Sequence, residues 1–113
     1  MMKIEAMIRP QKLEAVLEAV HELQLTGMTV TEVRGMGRQR GITYTYRGSQ
    51  YTTPLSHKVK IELVVNDEMV EDAVRAIQEA AGTGEVGDGK IFLVPVADAI
   101  RIRNGERGEP AIS

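Results

Sequence analysis

The stretch KVKIELVV, residues 58–65, places an apolar side chain at every second position. This period of two predicts a strand with one buried face, formed by Val59, Ile61, Leu63 and Val65. A similar alternation occurs earlier, in KIEAMIR at residues 3–9, and there too a helical pattern follows. The chain therefore uses the same order of elements twice.

Each of these strands precedes a helix and a further strand. Apolar residues recur at three- and four-residue steps between residues 12 and 25, and we expect that helix to end at Gly27. MTVTEVRG (28–35) predicts the next strand. In the second half, Asn66 or Asp67 is expected to cap a helix that ends at Gly82. KIFLVPV (90–96) predicts a fourth strand, and AIRIR (99–103) can form a short fifth.

This order predicts a ferredoxin-like α+β fold, β-α-β-β-α-β with an antiparallel sheet, and we expect one domain over residues 1–113. Two helices cover only one face of a four-stranded sheet. Met7, Lys60, Glu62 and Val64 belong to the other face, so oligomerisation or a covering segment is expected.

Composition limits the classes of function. A net charge of −2 and a pI near 5.7 argue against a general nucleic-acid binder. The chain has no cysteine, which excludes disulfides and thiolate metal sites. Charges at Lys3, Glu5 and Arg9 interrupt the first ten residues, so no signal peptide is expected there. No apolar run approaches the length of a membrane helix. We expect a soluble, cytoplasmic protein.

The segment between the second and third strands is unusually long. Residues 34–58 contain four glycines, four arginines and all three tyrosines, without a helical or strand period. We expect a structureless, exposed loop here, with Lys58 as the first residue of the following strand. Loops of this length in small domains are usually functional.

Two short motifs favour binding of an anion. GTGEVGDGK (82–90) is not a Walker motif, because Ile91 replaces the magnesium-binding hydroxyl and a strand follows. Its turn can still direct backbone N–H groups at a phosphate, with Lys90 adding charge. Arg101 and Arg103 are expected on one side of an extended segment, which suits an oligophosphate. GMGRQRG (35–41) adds a weaker signal of the same kind.

No motif supports catalysis. His21 and His57 have no partner at metal-ligand spacing, and no nucleophile–base pair can be identified. An RNA-recognition module shares the order of elements but needs aromatic side chains on its central strands, which KVKIELVV lacks. A ferredoxin-like phosphate-ester hydrolase or slow ATPase remains the alternative function.

In combination, several motifs resemble the PII nitrogen-regulatory signal proteins over essentially the whole chain. They are TGMTVTEVRGMGRQRG (26–41), YRGSQY (46–51), KVKIELVV, TGEVGDGKIF (83–92) and IRIRNGE (100–106). The resemblance implies a homotrimer with ATP or ADP in each cleft between subunits. One subunit would supply Met7, Gly35, Gly37, Arg38, Gln39, Glu62, Val64, Gly87, Asp88, Gly89 and Lys90. Its neighbour would supply Gly27, Met28, Thr29, Arg101 and Arg103.

The resemblance also implies a second ligand, 2-oxoglutarate, bound beside Mg²⁺ and ATP. Lys58 would face one of its carboxylates, and Gln39 would contact Mg²⁺, which phosphate and 2-oxoglutarate oxygens mainly hold. The other 2-oxoglutarate contacts would come from the base of the long loop, at Gly37, Arg38, Gln39, Arg40 and Gly41. No catalytic cofactor is implied.

In this family the long loop, here about 37–55, is the T-loop that docks into target proteins. Tyr51 matches a tyrosine that is uridylylated in many members, and Ser49 a serine phosphorylated in some. The expected function is a non-enzymatic sensor of nitrogen, carbon and energy status. Its partners would be target proteins such as an ammonium channel, nitrogen-pathway enzymes or regulators. The protein would associate with a membrane only through a channel partner, and no binding to nucleic acid is expected. The stretch 52–57 departs from the family pattern, as do Asn104 and the tail RGEPAIS (107–113) within the C-terminal segment of about 98–113.

Overall fold

The structure is a computed structural model that describes residues 1–36, 42–46, 48–53 and 55–113, with side chains described for 1–36, 48 and 55–113. Its strands are β1 (Met2–Ile8), β2 (Thr29–Gly35), β3 (Ile42–Tyr46), β4 (Ser49–Thr53), β5 (Ser56–Val65) and β6 (Lys90–Pro95). Its α-helices are α1 (Leu13–Glu22), α2 (Val70–Ala81) and the single turn α3 (Glu109–Ile112). Short 3₁₀ turns at Pro10–Lys12 and Asp67–Met69 precede α1 and α2.

Four strands form one antiparallel sheet in the order β2-β5-β1-β6. The two central strands, β1 and β5, pair from Met2 with Val65 to Ile8 with Val59. Both connections that contain a helix cross to a strand that is not the next neighbour, as the ferredoxin-like fold requires. The predicted fold class is therefore confirmed.

The core lies between the sheet and the two helices. The buried alternating positions of β5 are those that the sequence predicted, Val59, Ile61, Leu63 and Val65. From the helices, Val16, Val20, Val70, Ala73, Ile77 and Ala81 are buried against them. The opposite sheet face, here called the open face, stays partly exposed, and Phe92 is 48% exposed and Val94 38% exposed on it.

The long segment was predicted to lack regular structure, and that prediction is wrong. Strands β3 and β4 form a two-stranded antiparallel hairpin, in which Tyr44 pairs with Tyr51 and Tyr46 pairs with Ser49. Gly48, with φ of 80°, lies in the short connection, where hairpin turns favour positive φ. Threonine and tyrosine alternate in ITYTY, and both residue types favour strands without needing an apolar face.

Several boundaries also differ from the prediction. Helix α1 ends at Glu22 rather than near Gly27, because Gln24 takes a left-handed conformation with φ of 60° that closes the helix. Asn66 occupies the capping position of the 3₁₀ turn before α2, but its side chain makes no cap hydrogen bond. Strand β5 begins at Ser56, two residues before Lys58, because β2 continues to pair with it as far as Gly35.

Candidate functional site

The glycine-rich turn before β6 is fixed against the end of β1. Gly87 and Gly89 have φ of 102° and 105°, a region that side chains rarely adopt. A Cβ atom on Gly89 would lie 1.7 Å from the carbonyl oxygen of Met7. The turn can therefore approach the sheet this closely only with glycine at position 89.

Asp88 stabilises the turn from within. Its Oδ2 accepts hydrogen bonds from the backbone N–H groups of Thr83 and Gly84, both at 2.8 Å. Its Oδ1 accepts the hydroxyl of Thr83 at 2.5 Å. These bonds, led by the Thr83 hydroxyl, hold the pKa of Asp88 well below its ordinary value, so the carboxylate is ionised at neutral pH.

Arg9 holds Asp88 from the side of the sheet. Its Nε lies 3.2 Å from Asp88 Oδ1, and its Nη2 donates to the carbonyl oxygen of Val86 at 3.0 Å. Sequence reasoning missed the contributions of Arg9 and Thr83. A threonine five residues before an aspartate in a glycine-rich turn could have indicated the Thr83 contact. Nothing in the sequence pairs Arg9 with a residue 79 positions away.

Lys58 connects the same turn to β5. Its ammonium group donates a hydrogen bond to the carbonyl oxygen of Gly87. Burial lowers the pKa of Lys58, and the positive charge of Arg9 lowers it further, while Asp88 opposes both. A Cβ atom on Gly35 would lie 3.8 Å from Lys58 Cγ, which places the end of β2 beside it.

These residues form a first group of predicted site residues, which we call the turn group: Met7, Gly35, Lys58, Gly87, Asp88, Gly89 and Lys90. Met7, Asp88, Gly89 and Lys90 line a cavity of about 530 Å³ together with side chains of α2. Lys90 is exposed at its edge. The turn group combines two cations, Lys58 and Lys90, with a glycine turn, the chemistry of an anion site.

A second group of predicted residues lies elsewhere, around a cavity of about 380 Å³ on the open face. We call it the cleft group: Gly27, Thr29, Glu62, Val64 and Arg101. Thr29 lies directly opposite Glu62 in the ladder between β2 and β5. The Glu62 carboxylate lies 2.9 Å from Lys60 Nζ and 3.7 Å from Lys3 Nζ, and the first contact chiefly lowers its pKa.

The structure groups some of the predicted site residues differently from what the resemblance implies. Glu62 and Val64 were expected beside the glycine turn, and the structure places them in one cavity with Gly27, Thr29 and Arg101. Gly27 and Met28 line a separate groove beside α1, and Met28 does not line the cavity of the cleft group. Arg103 is exposed and does not line either of the two site cavities.

The prediction of an extended segment carrying Arg101 and Arg103 is wrong. Residues 102–104 form a turn, closed by a hydrogen bond from the Gly105 N–H to the Arg101 carbonyl oxygen at 2.8 Å. Only an isolated bridge between Ile100 and Arg107 stands where a fifth strand was expected. Gly105, with φ of 74°, allows the chain to turn tightly here, and the alternating pattern in AIRIR does not predict this turn.

The remaining site predictions fall outside the described residues. Gly37, Arg38, Gln39, Arg40 and Gly41 are not described, and for Ser49 and Tyr51 only the backbone is. In the described part of the chain, no cluster of three or more His, Cys, Asp or Glu side chains could hold a metal ion. Asp88 lies within the glycine turn, and its oxygens already accept four hydrogen bonds.

No helix in the described ranges is long and apolar enough to span a membrane.

The fold and its two groups define a class of protein: a small ferredoxin-like domain with a glycine turn suited to an anion and a separate polar cavity on its open sheet face.

Comparison with known proteins identifies the family. The family model for nitrogen regulatory protein P-II matches residues 1–106. The chain is 58% identical to the nitrogen regulatory protein P-II of Rhodospirillum rubrum and 55% identical to that of Azospirillum brasilense. Each match covers 99% of this chain and 100% of the relative. The chain belongs to the P-II family of nitrogen regulatory proteins, and it is accordingly a member of a signalling regulator family.

A solved structure supports the same assignment. Arabidopsis thaliana PII bound to citrate superposes with a TM-score of 0.80 at 42% identity, over 97% of this chain and 90% of that one. The resemblance stated from the sequence motifs is thereby confirmed.

Proposed function

We propose that this protein is a non-enzymatic sensor that binds ATP or ADP, with 2-oxoglutarate and Mg²⁺, in clefts between the subunits of a homotrimer. The binding state would be transmitted to partner proteins through residues 37–55. Membership of a regulatory family supports the signalling role, and the arrangement of the two groups supports the intersubunit cleft.

One observation carries the proposal: a single chain holds the predicted nucleotide residues as two separate groups. On β2, Thr29 and Gly35 lie at opposite ends of the strand, about 20 Å apart at the usual rise per residue. The cavities of the turn group and the cleft group share no lining residue. Neither group alone surrounds a nucleotide.

A head-to-tail interface would unite the groups. In a closed ring each subunit presents one surface to one neighbour and a different surface to the other. The turn group of one subunit would then face the cleft group of the next, and three subunits would form three equivalent sites. The open face, with Phe92 and Val94 exposed, supplies apolar surface that such a ring would bury.

The chemistry of each group suits a part of the nucleotide. Backbone N–H groups of the glycine turn and the charge of Lys90 suit phosphates. Glu62 is ionised beside two lysines and can accept a hydrogen bond from a ribose hydroxyl, while Val64 offers an apolar contact for a base. Arg101 would add a planar guanidinium for phosphate oxygens.

The second ligand would be bound at the base of the long segment. Lys58 is already half-buried within the turn group. Its ammonium group could give up the hydrogen bond to the Gly87 carbonyl oxygen and bind a carboxylate of 2-oxoglutarate instead. The solved PII of Arabidopsis thaliana holds citrate, a polycarboxylate, which agrees with carboxylate recognition. Mg²⁺ would be held by ligand oxygens and by Gln39, because Asp88 has no free acceptor for it, and it would neutralise the phosphate charge.

Calorimetry tests the proposal directly. ATP is titrated with and without Mg²⁺ and 2-oxoglutarate, and light scattering after gel filtration gives the mass of the oligomer. We expect a trimer, and each ligand should strengthen the binding of the other by the same factor, as linkage requires. If 2-oxoglutarate fails to bind under every nucleotide condition, the proposed mechanism is wrong.

A further inference from the structure

The last residues of the chain close one side of the cleft-group cavity. Ala111, Ile112 and Ser113 line it together with Thr29 and Val64. Ala111 and Ile112 are partly buried, whereas Ile102, in the same C-terminal segment, is fully exposed. The C-terminal residues therefore contribute apolar surface to a cavity whose other lining residues come from β1, β2, β5, the segment before β2 and Arg101.

Arg101 fastens these residues in place. Its Nη2 donates to the carbonyl oxygen of Pro110 at 2.6 Å and to the backbone oxygen of Ser113 at 3.0 Å. Its Nη1 donates to Glu106 at 3.0 Å. A guanidinium group has five N–H donors, so these three bonds leave Nε–H and one Nη1–H for an anion. Arg101 can therefore hold the C-terminal residues and a phosphate oxygen at the same time.

We propose that residues 109–113 form a wall of the nucleotide cleft, and that Arg101 couples the order of this wall to the presence of phosphate. The inference rests on the proposed function, since the ligand is the nucleoside di- or triphosphate assigned above. It adds residues to the site that neither the sequence motifs nor the turn group contain. The base would lie between Val64 and Ile112, two aliphatic residues that both line this cavity.

The coupling has a physical cause. The segment 109–113 contains only one helical turn, so part of its order depends on the two bonds that Arg101 donates to Pro110 and Ser113. A phosphate bound to the same guanidinium restricts its rotamers, and this lowers the entropic cost of keeping the bonds to Pro110 and Ser113. By reciprocity, an ordered wall must raise the affinity for the nucleotide.

The test compares Ile112→Ser with a matched control, Ile102→Ser, in the full chain. Both variants remove an aliphatic side chain and leave the charge unchanged, but only Ile112 lines the cavity. The affinity for ATP and ADP is measured by calorimetry, and gel filtration verifies the oligomer. We expect Ile112→Ser to weaken both nucleotides by about fivefold to tenfold, in line with the loss of one apolar contact, and Ile102→Ser to weaken them by less than about twofold.

Amide hydrogen exchange provides a second readout that a merely structural role would not change. The N–H groups of Gly108 and Ala111 donate to Ala99 and Gly108 at 3.0 and 2.9 Å, so they report on the order of the segment. ATP should slow their exchange in the unaltered protein. Arg101→Lys keeps the positive charge but loses the planar guanidinium group with its several N–H donors. In this variant ATP should leave the exchange of the Gly108 and Ala111 N–H groups unchanged.

The outcomes separate the two proposals. If the unaltered protein binds no nucleotide, the proposed function and this inference both fail. If it binds ATP but Ile112→Ser equals Ile102→Ser, or binds ATP more tightly than the unaltered protein, the wall is refuted while the proposed function stands. ATP-independent exchange at residues 108–113 in the unaltered protein would refute the coupling through Arg101.

Discussion

The ammonium group of Lys58 donates a hydrogen bond to the carbonyl oxygen of Gly87, which lies 29 positions later in the chain. This bond joins the beginning of β5 to the turn that precedes β6. It also leaves the lysine half-buried, with its pKa lowered by burial and by the charge of Arg9. A buried ammonium group whose partner is a neutral carbonyl gains free energy when a carboxylate takes the place of that carbonyl.

Replacing Lys58 with alanine should therefore remove 2-oxoglutarate binding while sparing most of the ATP affinity. Loss of one member of a buried charged pair weakens binding by at least about 30-fold, whereas ATP should lose less than about threefold. Calorimetry with 2-oxoglutarate in saturating Mg²⁺ and ATP measures the first effect, and titration of ATP alone measures the second. Arg75→Ala, at an exposed position of α2, serves as the control. Equal losses for both ligands would contradict the role given to Lys58.

The carboxylate of Asp88 should make the stability of the protein depend on pH. Its pKa in the folded state is lowered, so it contributes stability above its ordinary pKa of 3.8, and this is lost as the pH falls towards the folded-state value. Asp88→Asn should lower the thermal unfolding midpoint at pH 7. The amide NH₂ that replaces one carboxylate oxygen cannot accept the hydrogen bonds that the backbone N–H groups of residues 83 and 84 donate to Asp88. The difference from the unaltered protein should shrink between about pH 4 and pH 2.

A control for this titration is Asp72→Asn, which changes a carboxylate on the exposed surface of α2. It should change the midpoint little at any pH. A difference for Asp88→Asn that stays constant from pH 7 to pH 2 would show that the ionised carboxylate does not stabilise the turn.

Two glycines of the same turn should respond differently to alanine. At Gly89 a Cβ atom would lie 1.7 Å from the Met7 carbonyl oxygen, so Gly89→Ala must displace the turn or the end of β1. At Gly84, also with positive φ, no atom lies within 4 Å of such a Cβ, and only backbone strain remains. We expect Gly84→Ala to cost about 1–2 kcal/mol of unfolding free energy and Gly89→Ala more than about 3 kcal/mol. Denaturant unfolding measures both, and similar losses would contradict the close contact.

How much of this could be predicted from the sequence depends on how local each feature is. Strand β5 and helix α2 were predictable, because their buried positions recur with the period of their own backbone. The glycine turn was also predictable, since glycine density reports positive φ locally. The hairpin of β3 and β4 was missed because its residues show no apolar alternation, although threonine and tyrosine favour strands.

The candidate site was predictable only in part, for a related reason. The motifs named the residues of the turn group and the cleft group, but the division of these residues into two groups depends on the sheet order, which no local pattern encodes. The bond between Arg9 and Asp88 spans most of the chain, and the contact of Arg101 with Pro110 depends on a turn at Gly105. An alternating pattern such as AIRIR predicts a strand whenever that turn is not recognised.

The open face should be the surface that assembles the oligomer, and β6 offers a matched test of this prediction. Phe92 and Leu93 are neighbours with similar exposure, 48% and 42%, but they lie on opposite faces of the sheet. If the open face is buried in a trimer, Phe92→Asp places a charge in a dry interface and should cause dissociation, since an unpaired buried charge costs several kcal/mol. Leu93→Asp, on the helix side, should leave the trimer intact. Light scattering after gel filtration distinguishes a trimer from a monomer near 12.4 kDa. Should Phe92→Asp remain trimeric while Leu93→Asp dissociates, the interface would lie on the helix side of this strand and the two groups would have to meet in another way.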